Sequence, residues 1–493
     1  MPLTGRIAKS PVWCLGVITM LAVLVQGYHL GVDDSAIYVP AIKRVSDPTL
    51  YPFGAEFFMS HAHLSIFAAL VGGSARLSHL PIDLTIFLWH LVSIFLLLLA
   101  AWQLLGCCFK NSYARWSGVA VLAATLSVSV TGTGLAIMDP YLTARSLSTP
   151  ATLFAIACFI SGRVRWGVAW LVVTATLHPQ MAVYGTLFIG YMAVVEQRRA
   201  VHVEKVATVA SGMIIGLPLF FDFKPLSGAA RDCLLSRTFF FVSTWTWYEW
   251  IGVFAPMALL WWFSISARRT LPAFRGVASA LIPFGLVFTT AAVVLTFPAQ
   301  LESYNRLQPM RSFHLLYVVF FIFLGGLIGE YWIKTNPWRW AALFVPLVLV
   351  MVLVQELTFP ASQHLEWPGS NQSNTWISAF LWIRYHTPKA AVFALDPNYM
   401  LRPGEDMHGF RAVAERSVLA DNVKDSGPVS LFPQLATEWQ NEVEAQRGLD
   451  HFQLADFQRL AKRYPVTWIL IARPGPPGLT CPYENRDLAV CRL

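Results

Sequence analysis

The stretch PVWCLGVITMLAVLVQGYHLGVDD, residues 11–34, indicates the fold class of this chain. Its apolar part, residues 11–27, approaches the ~20 residues that a helix needs to cross a hydrocarbon core ~30 Å thick. No small-residue cleavage pattern follows it, so we expect an uncleaved membrane anchor rather than a signal peptide. Two adjacent carboxylates, Asp33 and Asp34, come directly after this run. The stretch therefore predicts a first membrane helix with an acidic pair at its end.

The composition extends this interpretation to most of the chain. The 493 residues are 56% hydrophobic and only 13% charged, with a mean hydropathy of +0.52. In a typical soluble domain about a quarter of the residues are charged. Further apolar segments lie near 82–108, 117–138, 147–162, 167–195, 206–221, 241–265, 277–297, 313–333 and 340–357. We expect an all-α polytopic membrane bundle of about 9–11 membrane helices.

Clusters of Lys and Arg between these segments predict the orientation of the bundle. Short basic loops are typical of the cytoplasmic side of a membrane. The net charge of +8 is explained in this way, and no nucleic acid partner is expected. All the clusters fall on one side, with the N-terminus in the cytoplasm, if 167–195 turns back at His178-Pro179, where proline breaks the helix. The alternative is one long kinked crossing, which inverts everything downstream.

The character of the chain changes beyond residue 359, where no membrane-length run occurs. Helices are predicted at 375–386, 434–446 and 454–463, and strands at 391–395, 417–420 and 466–472. This alternation over about 120 residues predicts a small soluble α/β domain. We therefore expect a membrane domain, 1–358, and a domain on the outer, periplasmic face, 359–493.

The seven cysteines agree with this division. Cys481 and Cys491 bracket a short step near the end of the soluble domain. In an oxidising compartment they are expected to form a disulfide. No spacing of Cys and His typical of a zinc site is present.

The first outer loop, from residue 31 to about 63, contains the acidic pair and further polar candidates. A carboxylate at the membrane face is suited to accept a proton from an incoming hydroxyl or to hold a divalent cation such as Mg²⁺ or Mn²⁺. Because neighbouring side chains on a helix point about 100° apart, we assign Asp33 to chemistry and Asp34 to capping a helix at 37–45. The same loop is expected to place Glu56, His61 and His63 at this site. The apolar stretch 64–80 is expected to lie along the interface or to re-enter.

Other candidate residues lie in three later segments on the same predicted side. Asp139 is read as a second catalytic carboxylate or as a turn aspartate before proline, and Arg145 as a phosphate contact or an interfacial arginine. His178 either lines a site or bonds the carbonyls freed by the proline after it. Arg306 and Arg311 present forked donors suited to the oxygens of a lipid-linked phosphate.

Three more basic residues fall outside in this topology, namely Lys224, Arg231 and Arg237. They either bind an anionic substrate or, as we expect, face water at interfacial segments.

A first span followed by an Asp-Asp loop, many short spans and an outer C-terminal domain resembles the GT-C superfamily of integral-membrane glycosyltransferases. More narrowly, the runs 141–147, 178–179, 308–312 and 382–388 are similar to an uncharacterised bacterial group with that architecture. The resemblance implies a polyprenyl-phosphate-linked sugar as donor. It also implies that Asp33 or Asp34 is the catalytic base or a metal ligand, with Asp139 a loose match to a second acidic position. The WWD-type motif of oligosaccharyltransferases is missing, which argues against protein N-glycosylation.

The function expected from the sequence is an inverting sugar transfer from the lipid-linked donor to an acceptor on the outer face of the bacterial inner membrane. One alternative is a transporter or flippase for an anionic lipid-linked substrate, which would use the same arginines and the broken helix. Such a protein should show related halves, and no internal repeat is evident. Another is a non-enzymatic membrane protein of envelope assembly, in which the acidic pair would be dispensable.

Overall fold

The computed structural model describes residues 11–195, 225–226, 228–267, 271–370 and 372–493. This part of the chain is mostly helical, with several apolar helices and a small C-terminal sheet domain. Its helices are α1 Pro11–Gln26, α2 Ser35–Ser46, α3 Glu56–Ala62, α4 Phe67–Ser78, α5 Ile82–Cys108, α6 Ser112–Ala124, α7 Ala144–Ile160, α8 Val164–Leu177, α9 Pro179–Val195, α10 Ala229–Ser236, α11 Trp247–Ser266, α12 Pro272–Thr296, α13 Phe313–Ile328, α14 Pro337–Thr358, α15 Thr375–His386, α16 Phe410–Ala414, α17 Ser426–Leu431, α18 Ala436–Gln446 and α19 Leu454–Arg463. Its strands are β1 Ser129–Val130, β2 Leu135–Ala136, β3 Val392–Ala394, β4 Ser417–Val418, β5 Trp468–Ala472, β6 Thr480–Glu484 and β7 Leu488–Arg492.

Five helical segments of the described ranges are long and apolar enough to cross a membrane, judged by length and composition. They are α5, α11, α12, α14 and the continuous segment Ala299–Ile333, which contains α13. A sixth arises if α3 and α4, bent by 97° at their junction, count as one broken span or re-entrant loop. Three shorter apolar helices, α1, α7 and α8, accompany them. The predicted run at 206–221 lies outside the described residues.

The predicted span at 117–138 is wrong as a single helix. Helix α6 ends at Ala124, and the chain then forms the short antiparallel β1–β2 hairpin. Gly132 and Gly134, in the turn between these strands, have φ of 59° and 67°, a left-handed conformation that only glycine adopts readily. The apolar character continues past residue 124 because the hairpin is itself packed in the core.

The chain turns back at His178-Pro179, as the hairpin interpretation predicts. A Cβ atom on Gly185 of α9 would lie 3.6 Å from the side chain of Leu171 in α8. In one continuous helix these two residues would be about 20 Å apart. Helix α9 begins at the proline itself, the position where a missing N–H costs no helical hydrogen bond.

The C-terminal domain contains a five-stranded sheet in the order β4-β3-β5-β7-β6. Strands β4, β3 and β5 are parallel, and β7 and β6 continue the sheet antiparallel. The three parallel strands and the helices α15, α18 and α19 confirm the predicted elements. Strands β6 and β7 were not predicted, since β6 is largely exposed and carries no apolar alternation. The predicted disulfide between Cys481 and Cys491 is formed and joins these two strands.

Candidate active site

The loop that carries the acidic pair is held by a segment of the C-terminal domain. The amide of Gly409 donates to the carbonyl of Gly31 at 2.8 Å, and the amide of Asp33 donates to the carbonyl of Met407 at 2.9 Å. Asp33 has a φ of 51°, in the left-handed region that aspartate tolerates better than most residues. The position of the pair therefore depends on contacts nearly 380 residues away in the chain, not only on α1.

The two carboxylates share one cationic partner. The Tyr141 hydroxyl donates to Asp33 Oδ2 at 2.9 Å, and the ammonium of Lys424 contacts Asp33 Oδ1. The same ammonium lies 3.2 Å from Asp34 Oδ1. Burial lowers the pKa of Lys424 to about 7. Among the described residues, no hydrogen bond reaches Asp34 Oδ2, so this oxygen is available to a substrate.

The predicted capping role of Asp34 is wrong. Asp34 occupies the N-cap position of α2, but its side chain accepts no hydrogen bond from the first turn. Its φ and ψ of −66° and −19° are already helical, whereas a capping side chain usually needs an extended backbone. The carboxylate is directed to Lys424 instead.

Lys424 belongs to a tightly bonded turn that follows β4. Asp421 Oδ1 accepts the amides of Val423, at 2.8 Å, and of Lys424. Burial, reinforced by the nearby Asp425 carboxylate, raises the pKa of Asp421 to about 7. Asp425 in turn accepts two hydrogen bonds from the buried Arg411, at 2.7 and 2.9 Å. These bonds fix the turn, and with it the position of the ammonium.

A polar cavity of about 240 Å³ lies over the acidic pair. It is enclosed by α2, by the segment preceding α13, and by the turn that carries Lys424. Its charged or polar lining residues are Asp33, Asp34, Tyr38, His61, Arg237, Gln308, Arg311 and Lys424.

A larger, mainly apolar cavity of about 480 Å³ adjoins the polar one. Its walls come from the α8–α9 turn, from α12 and from the segment before α13. The residues that line both cavities are Tyr38, His61, Gln308, Arg311 and Leu431. Because of this shared lining, an apolar chamber and a charged chamber meet at the Arg311 guanidinium.

The predicted residues divide between these chambers. His61 and Arg311 line both, whereas His178 and the almost fully buried Arg306 line the apolar chamber only. The Nδ1 atom of His178 has no hydrogen-bond partner among the described residues, so the side chain does not bond carbonyls freed by the proline through that atom. Glu56 and His63 line neither of these two chambers. His63 is exposed, and Glu56 is the first residue of α3.

Asp139 and Arg145 form a buried ion pair with each other. Neither lines a described chamber. Burial raises the pKa of Asp139, although the Arg145 charge acts in the opposite direction. The guanidinium that we expected to contact phosphate is therefore engaged with the carboxylate six positions before it.

The polar chamber offers few ligands to a divalent cation. In the described ranges no group of three or more His, Cys, Asp or Glu side chains is placed to hold a metal ion. The two carboxylates that line the polar chamber both contact the Lys424 ammonium. Mg²⁺ is usually bound through one or two carboxylates, with waters and substrate phosphates completing its octahedron, and here both carboxylates already pair with an ammonium. The residues present do not fit the cation that the sequence suggested.

Two lining residues were missed or misjudged from the sequence. Arg237 was expected to face water, yet it is half-buried, lines the polar chamber and donates to the carbonyl of Val423 at 2.9 Å. Lys424 was not considered. It lies just beyond the carboxyl end of β4, the edge of a parallel sheet where ligands usually bind, and that position is a signal the sequence contains.

Solved structures with the same overall architecture support the fold. The oligosaccharyltransferase of Archaeoglobus fulgidus in its apo form aligns with a TM-score of 0.50 and 12% identity, over 95% of this chain and 70% of that one. The same enzyme tethered to an acceptor peptide containing the NVT sequon aligns with the same score and identity, over 94% and 69%. The likeness shows that this chain shares the overall fold of that enzyme. No protein-family profile matches its sequence, and no curated protein matches it significantly.

Proposed function

We propose that this protein is an integral-membrane glycosyltransferase of the bacterial inner membrane. It transfers a sugar from a polyprenyl-phosphate-linked donor to an acceptor hydroxyl on the outer face, with inversion. The observation that carries this proposal is the junction of the two chambers, where the apolar chamber meets the polar chamber at Arg311. A polyprenyl phosphate has the same division, since an apolar chain ends in an anion.

The proposed position of the donor follows this division. Its polyprenyl chain occupies the apolar chamber beside the α8–α9 turn, and its phosphate lies between Arg311 and Arg306. A guanidinium offers paired N–H donors that match phosphate oxygens. The sugar then extends into the polar chamber toward Asp33 and Asp34.

Asp34 is the general base in this proposal, which reverses the assignment made from the sequence. Both oxygens of Asp33 already have partners, whereas Asp34 Oδ2 has none among the described residues. Asp34 takes the proton of the acceptor hydroxyl while the hydroxyl oxygen bonds to the anomeric carbon. The bond from that carbon to the phosphate oxygen breaks, and lipid phosphate leaves with the electron pair. Arg311 and Arg306 stabilise the charge that develops there.

The remaining expectations follow from the same arrangement. Residues 1–358 form the membrane domain with a cytoplasmic N-terminus, and 359–493 form a domain on the periplasmic face. That domain completes the site through Lys424 and helps to bind the acceptor. The likeness to oligosaccharyltransferase structures supports the architecture of such an enzyme, while the acceptor of this chain is a separate question.

The proposal is tested by measuring sugar transfer from a polyprenyl-phosphate donor pool in membranes that contain each variant. Asp34→Asn is expected to reduce the transfer rate about 10²–10⁴-fold, the usual contribution of a general base. Asp33→Asn should reduce it less, because the Tyr141 hydrogen bond can persist. Asp47→Asn is the matched control, since this aspartate of the same loop pairs with Lys389 at the surface.

Full transfer by both Asp33→Asn and Asp34→Asn would overturn the enzymatic proposal. If instead the variants transfer normally but the lipid-linked substrate no longer changes leaflet in reconstituted vesicles, the protein is a carrier for that substrate. Cytoplasmic accessibility of residues 31–60 would overturn the orientation on which the outer-face assignment rests.

A further inference from the structure

The Lys424 ammonium contacts both neighbouring carboxylates, Asp33 and Asp34. We propose that this ammonium is the permanent counterion of these carboxylates in the polar chamber and that this glycosyl transfer proceeds without a divalent metal ion. The inference rests on the proposed function for its second half, because it concerns how that reaction is supported. Its first half, the exclusion of metal by a lysine, concerns the protein alone.

The contacts of the acidic pair leave little for a metal ion to bind. One oxygen of Asp33 accepts from Tyr141, the other contacts Lys424, and Lys424 also lies 3.2 Å from Asp34 Oδ1. Only Asp34 Oδ2 is without a partner in the described part of the chain. A hard divalent cation needs several oxygens at once. It would have to displace an ammonium whose side chain is only 9% exposed.

The turn around Lys424 opposes that displacement. Asp421 accepts amide hydrogen bonds within the turn, and Asp425 is held by Arg411. The ammonium therefore does not reach the pair from a flexible surface chain. It is presented by a backbone that is bonded on both sides of the residue, so moving it away from the carboxylates disrupts the turn as well.

The charges of the chamber support the same conclusion. Two acidic side chains, Asp33 and Asp34, line it together with three basic ones, Arg237, Arg311 and Lys424. The chamber is thus complementary to an anionic donor with no metal present. In a metal-dependent site, two or more acids would face the ion, and the ion would supply the positive charge that these side chains already provide.

Lys424 acts in this proposal as a positioning residue. It holds both carboxylates, so that Asp34 presents its second oxygen to the acceptor hydroxyl. Lys424→Met removes the ammonium and retains most of the side-chain length, whereas Lys424→Arg retains the charge with a different shape. Lys462→Met is the matched control, because Lys462 is an exposed lysine of α19 in the same domain.

The first experiment measures binding of Mn²⁺ to the full-length protein in detergent by electron paramagnetic resonance. The wild-type chain and Lys462→Met are expected to leave millimolar Mn²⁺ unbound at this site. Lys424→Met should bind it at least about tenfold more tightly than the wild type, since the carboxylates lose their counterion. Addition of Asp34→Asn should remove that gain. Stoichiometric binding by the wild type that is lost in Asp33→Asn would overturn the proposal, and this result requires only a folded wild-type protein.

The second experiment measures transfer in membranes with and without EDTA. We expect the wild-type rate to be unchanged by EDTA, and the rate of Lys424→Met to fall roughly 10²-fold or more. Lys424→Arg should recover part of that loss. A wild-type rate abolished by EDTA and restored by Mg²⁺ would overturn metal independence. Absence of transfer by every form would instead count against the proposed function, while the Mn²⁺ measurement would still decide the role of Lys424.

Discussion

Asp33 and Asp34 are adjacent in the sequence but differ in how their carboxylates are held. Asp33 accepts a hydrogen bond from Tyr141 and contacts Lys424, so each of its carboxylate oxygens has a partner. Its backbone is in the left-handed region. Among the described residues, the carboxylate of Asp34 has one charged partner, the Lys424 ammonium that it shares with Asp33. A fixed carboxylate is suited to support a site, and a carboxylate with a free oxygen is suited to exchange a proton.

Removal of the Tyr141 hydroxyl tests this difference. Tyr141→Phe deletes the donor to Asp33 Oδ2 but leaves the ring in its buried position. We expect kcat to fall by about tenfold, as for loss of one hydrogen bond of ~1–1.5 kcal/mol, with the KM for donor unchanged. Tyr385→Phe, an exposed tyrosine of α15, is the control. A rise in the KM for donor without a change in kcat would mean that Tyr141 contacts the donor and does not act through Asp33.

Arg311 lines both chambers and is expected to hold the donor phosphate. Arg311→Lys keeps the charge but loses the planar fork of donors, so we expect the KM for donor to rise roughly tenfold or more. Arg231→Lys is the control, because Arg231 pairs with Glu302 at the exposed surface. An Arg311→Lys enzyme with wild-type kinetics in a purified transfer assay would contradict the phosphate assignment.

The sequence predicted part of this site for local reasons. Asp33, Asp34, His61 and Arg311 were found because charged residues beside apolar runs are conspicuous. Lys424 was not, since its contact with Asp33 joins positions separated by 391 residues and no local pattern encodes such a contact. The Asp139–Arg145 pair was visible at six positions apart, but burial, which decides whether the two face a ligand or each other, was not.

At the scale of elements, the first outer loop and the segment before α16 act as one unit. The backbone of Gly409 approaches that of α2 so closely that a Cβ atom there would lie 2.3 Å from Ala36 Cβ and 2.8 Å from Ala36 Cα. Space for this approach exists because residue 409 has no side chain. The acidic pair lies directly before α2, so the contact sets its position relative to Lys424.

Substitution of Gly409 tests the importance of that approach. Gly409→Ala forces α2 away from the C-terminal domain, and we expect a loss of stability of about 1–3 kcal/mol together with reduced transfer. Gly73→Ala in α4 is the matched control, since its added Cβ would have no described atom within 4 Å other than those of its chain neighbours and the backbone of its own helix. Thermal unfolding of the purified protein in detergent is the measurement. Equal melting temperatures for the two variants would show that the approach is not constraining.

Predictions at this scale succeeded where local chemistry decides the outcome. The bounds of α15 and α19 agree with the sequence because capping residues and a proline define them. The α8–α9 turn was predicted for the same reason. The span at 117–138 was not, because hydrophobicity reports burial and the β1–β2 hairpin is buried without being helical. A window of apolar residues cannot distinguish these two cases.

At the scale of the molecule, a ring of four charges joins the two predicted domains. Lys43 of α2 contacts Asp83 at 2.7 Å and Glu415 at 2.9 Å, and Arg384 of α15 contacts the same two carboxylates at 2.7 and 2.8 Å. The Lys43 side chain is fully buried and also donates to the carbonyl of Ala412 at 2.8 Å. The structure thus gives Lys43 a joining role between the predicted domains.

Breaking this ring is expected to destabilise the whole protein. Lys43→Met removes a fully buried cation and leaves two half-buried carboxylates with one cation, and we expect a loss of about 3–5 kcal/mol, observed as a lower melting temperature in detergent. Lys43→Met combined with Glu415→Gln should lose less than the sum of the two single changes, because the charge mismatch is smaller. Lys389→Met is the control, since Lys389 and Asp47 pair at the surface. Additive losses would mean that the ring is not a coupled unit.

A second buried network at the same junction makes stability depend on pH. Glu366 Oε1 lies 2.8 Å from His408 Nε2, and this contact raises the pKa of His408 to about 9 against its burial, which lowers it. Because the pKa of His408 is raised in the folded state, the stabilisation that its protonated form gives to the fold is complete below the unfolded pKa of about 6.5. This stabilisation is lost as pH rises through 9. The pKa of Glu366 is lowered to about 2, despite burial, chiefly by the His408 charge. The stabilisation that ionised Glu366 gives to the fold is lost only as pH falls from about 4.5 through 2.

We therefore expect the melting temperature to fall between about pH 6.5 and 9, and to fall less in His408→Gln, which keeps a donor but no titrating proton. His451→Gln is the control, because His451 is an exposed histidine of the same domain. A decline of equal size in both variants would assign the pH dependence to other groups.

The contact between Lys424 and Asp33 also has a consequence for biosynthesis. Its partners are separated by 391 positions, which at about 5–20 residues per second takes roughly 20–80 s to translate. The acidic pair therefore leaves the ribosome long before its counterion. Until the distal segment is made and docked, the two carboxylates of the nascent chain lack this counterion, and a chain released before residue 424 is added never acquires it.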